Sequence, residues 1–331
     1  MPSSQIGVEV YLSTLCLWLL TLLLAPLTPG DRVRITEAAR LVHQLGDRLW
    51  PGQADTPVRV LLLRDSAEFL VGPDVRGKDF VATGDSLLGH QVWTRPGHFP
   101  PTLVATFPVD GMPTIVVGTP QRTGMSSTRW VLTLLHEHFH QWQYSQTWYY
   151  PGVARLGLSG GDSTGMWMLN YSFPYDSVPV REAVRRLALA LRAALDPEDR
   201  SGLEPVIRAR DALRGQLSTA DYRYLEFQLW QEGVARYVEY RAANLASPGK
   251  PPGDFAALPD YQPYPAAAAD RRRGLLQELE ETDLQRNRRV SFYPIGAAIA
   301  LLLDRTTGQV WKEAYSRRPF ALAALLESKA E

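Results

Sequence analysis

The amino-acid sequence predicts an α+β fold, with a small β-sheet in its N-terminal part and a mostly helical C-terminal part. Three observations carry that reading. The runs that read as strands, "VRVLLLRD" (58–65) and the β-rich "TLVATFPV" (102–109) and "PTIVVGT" (113–119), all fall early in the chain. From about residue 126 onward the apolar residues recur at helical rather than alternating spacing. Strands therefore precede helices instead of alternating with them, which marks an α+β domain and not a βαβ series. With 331 residues, 45% of them hydrophobic, the chain can fill one large core or two modest ones.

The elements follow in order. Residues 10–25, "VYLSTLCLWLLTLLLA", are uncharged and apolar, a length that suits the core of a signal peptide and is short for a full membrane span. Glu9 precedes this run, with no Lys or Arg before it, and "LAPLTPG" follows, a poor cleavage site. Both a signal peptide and an uncleaved N-terminal membrane anchor over 1–29 therefore stand, and either makes the protein exported (periplasmic or extracellular) or membrane-anchored. The remainder, 30–331, reads as one domain, with an α/β part over 30–125 and a helical part over 126–331. Within it, 35–50 has helical spacing, 58–65 is a strand and 66–72 a short helix. Residues 73–101 should be mostly irregular, with short strands. The runs at 102–109 and 113–119 form a hairpin around "DGM". "SST" (126–128) offers N-caps for a helix. A loop-like, aromatic insertion covers 149–179. Helices follow over 180–196, 203–216 and 219–246, then a Pro-rich loop over 247–270, and helices over 270–285, 294–305 and about 309–327.

Charge and cysteine narrow the chemistry. The formal net charge is zero, so nothing points to nucleic acid as a partner. All but Lys78, Lys250, Lys312 and Lys329 of the 35 basic residues are arginine, a bacterial, GC-rich coding bias rather than a functional sign. Cys16 is the single cysteine, so no intramolecular disulfide forms and a metal site must use histidine and carboxylate.

The segment "LLHEHFHQWQ" (134–143) holds three of the six histidines. His136, Glu137 and His140 satisfy H-E-x-x-H. Residues four apart lie on one helix face, so two imidazoles can reach one tetrahedral zinc ion. Glu137, one step round, is placed to act as a general base. Leu134, Leu135 and Phe139 bury the helix, and burying several histidines needs compensating partners. His138 points to the opposite side and reads as structural. Core packing remains the bland account of the other two histidines.

A catalytic zinc wants a third protein ligand and an open position. The extended pattern with a third histidine fails, because residues 143 and 146 are glutamine. Glu232 in "LWQEGVARYVEY" (229–240) is the preferred ligand. Gly233 follows it, and a glycine inside a helix costs about 1 kcal/mol relative to alanine. Close approach to the histidine helix would justify that cost. Glu226, Glu239 and, in the insertion, Asp162 stay open as alternatives.

These segments resemble the gluzincin zinc metallopeptidases, in particular the peptidase MA-like group. The likeness rests on "HEHFH" with "QW" after it, "WQEGVARY" (230–237), "YPIGAAIALLLD" (293–304) and the early strand region. It implies a zincin-like fold, with Glu232 as third zinc ligand and Tyr293 and Gly296 at the start of a helix beside the site. The position four after the ligand glutamate, acidic in the better-known pattern, is Arg236 here. The expected activity is zinc-dependent hydrolysis of peptide bonds in a peptide or protein substrate. Glu137 would be the base, and Tyr293 would hydrogen-bond the tetrahedral oxyanion. Three alternatives remain: a zinc amidase acting on a non-peptide or cell-wall amide, a catalytically inactive, zinc-stabilised binding protein, and a membrane-anchored helical interaction protein in which the motif is coincidental. Trp167, Tyr171, Phe173 and Tyr175 in the insertion either line a cleft or pin a long loop.

Overall fold

The computed structural model describes residues 27–74, 77, 79–199 and 201–329, and the apolar segment 10–25 lies outside them. Among the described residues no helix is long and apolar enough to cross a membrane. The α+β expectation holds, with a six-stranded sheet towards the N-terminus and helices towards the C-terminus. The chain divides into two compact units. One takes the chain up to Gly46, Gly52–Trp142 and Lys250–Pro263. The other takes Asp47–Pro51, Gln143–Gly249 and Tyr264–Glu331.

The first unit opens with helix α1 (Pro29–Leu49), which starts six residues earlier than its apolar spacing suggests. The strands are β1 (Val60–Leu63), β2 (Ala67–Val71), β3 (Val81–Leu87), β4 (His90–Pro96), β5 (Val104–Val109) and β6 (Met112–Gly118). They lie in the order β3-β4-β2-β1-β6-β5. Only β1 and β6 are parallel. Residues 66–72 are not a helix. They form β2, antiparallel to β1 with Leu61 opposite Leu70, and every residue of the strand is buried. A run of five residues, four of them apolar, is too short for its period to separate helix from strand. Here the choice falls to the pairing groups of β1 and β4 on either side.

The expected irregularity of 73–101 also gives way. β3 and β4 are seven residues each, joined by Leu88 and Gly89 at φ 55° and 77°. Asp110–Gly111 joins β5 to β6 in the same way, at φ 54° and 77°. Positive φ at both central residues suits the primed two-residue turns that match strand twist. One sheet face buries Leu61, Leu63, Leu70, Val109 and Val116 against Phe80. The other meets helix α2 (Ser127–Ser145). There Trp130 Nε1 donates to Gly118 O at 2.7 Å, and Gln141 Nε2 donates to Pro113 O at 2.9 Å. Ser126 caps α2, its hydroxyl accepting from the Arg129 amide at 3.3 Å.

The second unit is helical: α3 (Val178–Ala194), α4 (Glu204–Arg214), α5 (Thr219–Gln228), α6 (Val234–Ala246), α7 (Tyr264–Glu280), α8 (Phe292–Thr307) and α9 (Trp311–Arg317). α8 is its axis, with Phe292, Ile295, Ala297, Ala298, Ile299, Leu302 and Leu303 all buried. Three boundaries differ from expectation. The Pro-rich loop ends sooner, because the alanine run 266–269 favours helix and α7 starts at Tyr264. The C-terminal helix breaks into α9 and a 3-10 segment, Ala323–Lys329. The continuous helix expected over 219–246 is interrupted by a π turn, Leu229–Gly233.

That turn has a packing cause. A Cβ on Gly233 would lie 2.4 Å from Gly296 Cα, and one on Gly296 would lie 2.6 Å from Leu229 O. Gly233 therefore admits α8 at Gly296, and not the histidine helix as its sequence context suggested. The turn frees carbonyls that α-helix geometry would have used. Trp230 O accepts from the Tyr315 hydroxyl at 3.1 Å, and Gln231 O accepts from Gln143 Nε2 at 3.2 Å.

Candidate metal centre

The site starts from α2. Its fold is local: Trp130, Val131, Leu132, Leu134, Leu135 and Phe139 are buried, and this apolar face orients the rest. His136 and His140, one turn apart, hold their Nε2 atoms 3.2 Å apart with the rings at 77°. Two ligands of a tetrahedral ion at 2.0–2.1 Å from it would stand about 3.3 Å apart. The pair therefore has the spacing of two ligands on one tetrahedral ion.

His138 faces the other way, as its position predicts. Its Nε2 meets Thr56 O at 2.8 Å, and its Nδ1 lies 3.4 Å from Gln53 Nε2. A ring that donates from Nε2 and accepts at Nδ1 satisfies both partners in its neutral form. Burial pushes its pKa down to about 4, so it stays neutral. This histidine is structural.

Glu137 is buried and meets Thr106 of β5. The Thr106 hydroxyl lies 2.8 Å from Glu137 Oε2 and 3.0 Å from Glu137 O. Nothing in the sequence flagged Thr106, because it stands 31 residues from its partner.

Glu232 sits in the π turn, its side chain 17% exposed. α2 is continuous from the histidines to Gln143, whose amide nitrogen donates to Gln231 O, one residue before Glu232. One ligand atom each of His136, His140 and Glu232 lies within 4.8 Å of the others. Two imidazoles and a carboxylate form a donor set for a borderline divalent ion such as zinc. No thiolate is needed, consistent with the cysteine count.

The other acidic residues serve elsewhere. Glu226 accepts from the Tyr222 hydroxyl at 2.7 Å and from the Ala323 amide at 3.0 Å. Glu239 pairs with Arg236 and Arg271. Asp162 is half-buried and caps its own loop, accepting from the amides of Thr164 and Trp167 at 2.7 Å each.

Tyr293 lies in the first turn of α8, partly buried, and its hydroxyl hydrogen-bonds to Glu232. Arg289 Nη1 donates to the same hydroxyl at 2.7 Å and stands 3.8 Å from Glu232 Oε1. Burial and then the Glu232 charge hold the phenol well above its usual pKa of 10, so it keeps its proton. Sequence reading missed Arg289, although it precedes Tyr293 by four residues. The turn that aims both contains Arg288 at φ 46° and ψ −130°, a conformation costing a non-glycine residue on the order of 1–3 kcal/mol.

The aromatic insertion is packed within its own unit. Tyr171 stacks on Tyr224 at 4.3 Å, Trp167 lies against Phe227, and Phe173 and Tyr175 both meet Phe292. Three of the four rings are buried, so pinning the loop is their main work. Comparison with protein families, curated proteins and solved structures finds no match for this chain.

Proposed function

We propose that the protein is a zinc-dependent hydrolase of peptide bonds, gluzincin-like in its site, with His136, His140 and Glu232 as metal ligands and Glu137 as general base. The observation that carries this reading is the company Glu137 keeps. Its carboxylate follows directly after the first histidine of a His–His–Glu donor set, and among the described residues only Thr106 hydrogen-bonds to it. A purely structural metal site has no use for such a carboxylate.

When bound, zinc supplies a Lewis acid that makes water nucleophilic at neutral pH and polarises a carbonyl. The chain's own residues do the rest. Glu137 takes the proton of the attacking water and delivers it to the leaving nitrogen. Tyr293 keeps its proton, and would turn it from Glu232 to hydrogen-bond the developing oxyanion. The sheet favours a peptide over another amide. Among the described residues β5 is an edge strand and carries Thr106, so a strand added to that edge would run past Glu137. An extended peptide pairs with such an edge by main-chain hydrogen bonds.

The test is Glu137→Gln, with zinc measured after desalting and hydrolysis measured on a denatured protein mixture. The parent should hold about one equivalent of zinc and cleave. The variant should keep zinc and lose roughly 10²–10⁴ in rate. A zinc-loaded parent that leaves protein intact would refute the peptidase reading. Loss of zinc in the variant would make Glu137 a ligand instead of a base.

A further inference from the structure

We propose that Thr106 is a positioning residue for Glu137, holding one carboxylate oxygen so that the other is presented to the proton it must accept. This inference rests on the reading of Glu137 as the base.

The geometry is specific. Thr106 is 8% exposed and sits mid-strand in β5, opposite Ile115 of β6. Alternation along β5 sends Phe107 to the far face of the sheet, where it packs on the Leu61 and Val116 cluster, and leaves Thr106 facing α2. There its hydroxyl touches two atoms of one residue, Glu137 Oε2 at 2.8 Å and Glu137 O at 3.0 Å. A hydroxyl has a single proton to give. The backbone carbonyl, inside a helix, already accepts from the amide four residues on. The shorter contact, to a charged acceptor, is the stronger claim on that proton.

The hydrogen bond from Thr106 to Oε2, made by a hydroxyl packed against the backbone carbonyl of the same residue, fixes the glutamate's rotamer. Among the described residues Oε1 accepts no hydrogen bond, so it is the oxygen left to receive a proton. A free glutamate side chain has rotamer freedom worth up to about 2 kcal/mol. Fixing it in advance can therefore raise the rate by up to about thirtyfold. A threonine that served only as core filler would show none of this, because valine would fill the same space.

Thr106→Val and Thr106→Ser separate the two roles. Thr106→Val should hold zinc within twofold of the parent in chelator competition. Its kcat should fall by about ten- to thirtyfold with KM unchanged, and Thr106→Ser should recover most of that loss. Placed on Glu137→Gln, Thr106→Val should lose nothing more. A second measurement needs neither metal nor turnover. With ¹³C-labelled glutamate in the metal-free protein, the Glu137 carboxyl signal is identified by its loss in Glu137→Gln. It should shift in Thr106→Val and stay in place in Thr106→Ser. A parent without hydrolytic activity would refute the proposed function, and the carboxyl signal would then decide the positioning alone. An unmoved signal in Thr106→Val, a kcat within twofold of the parent, or a serine variant as slow as the valine one would overturn the proposal.

Discussion

Gly296→Ala tests whether the glycine pair sets the third ligand. The added methyl would lie 2.6 Å from Leu229 O and 2.7 Å from Gly233 Cα. Comfortable carbon contacts begin near about 3.5 Å, so at Gly233 Cα α8 and the π turn must part by ~0.8 Å. Both close atoms are backbone, so no side chain can swing aside to relieve the clash. Overpacking of this kind costs about 1–3 kcal/mol. The same displacement acts on Glu232, adjacent to Gly233, whereas metal–ligand distances tolerate only about 0.2 Å. Zinc affinity should fall roughly 10- to 100-fold, as when a ligand loses its supporting contacts. Gly274→Ala is the control. It lies in α7 with nothing within 4 Å of its would-be Cβ, so it should gain about 1 kcal/mol and leave zinc binding alone. Urea unfolding of the metal-free proteins measures the first effect, and chelator competition the second. If Gly296→Ala binds zinc within twofold of the parent at undiminished stability, the glycine contact does not position Glu232.

Three further outcomes are expected. His136→Ala, His140→Ala and Glu232→Ala should each lose most zinc on desalting, while Asp162→Ala keeps it. The reverse pattern for Glu232 and Asp162 would move the third ligand into the insertion. Tyr293→Phe should keep zinc and lower kcat by roughly 10²–10³ if its hydroxyl meets the oxyanion. A change within twofold would leave that hydroxyl only its bonds to Glu232 and Arg289. Lys312, 3% exposed against Trp50 and Tyr237, has its pKa lowered by burial to about 8, from 10.5 in the unfolded chain. Below about pH 8 both states carry the charge, and the folded state bears the full penalty. As pH rises from about 8 to 10.5 the folded protein has shed a proton that the unfolded chain still holds. Lys312 therefore ceases to oppose folding, by about 3 kcal/mol over that window. The stability difference between Lys312→Met and the parent should shrink by that amount across the window, the buried tyrosines cancelling between the two. A difference independent of pH would contradict the assignment.

What depends on nearest neighbours along the chain could be read from the residues alone. H-E-x-x-H on a buried helix aligns His136 with His140 and turns His138 away, because helix pitch alone sets those directions. The turn at Asp110–Gly111 and the order of strands before helices were legible for the same reason. Glycine at 233 announced a close approach but could not name its partner, which is Gly296 and not the histidine helix. "SAEFLVG" was ambiguous because so short a run fits either period, and the open edges of its neighbours decided for β2. Thr106 on Glu137, Arg289 on Tyr293 and the π turn under Glu232 became visible only in three dimensions. Each is fixed by packing between distant segments, and no periodicity along the chain encodes which backbone will come to lie against which.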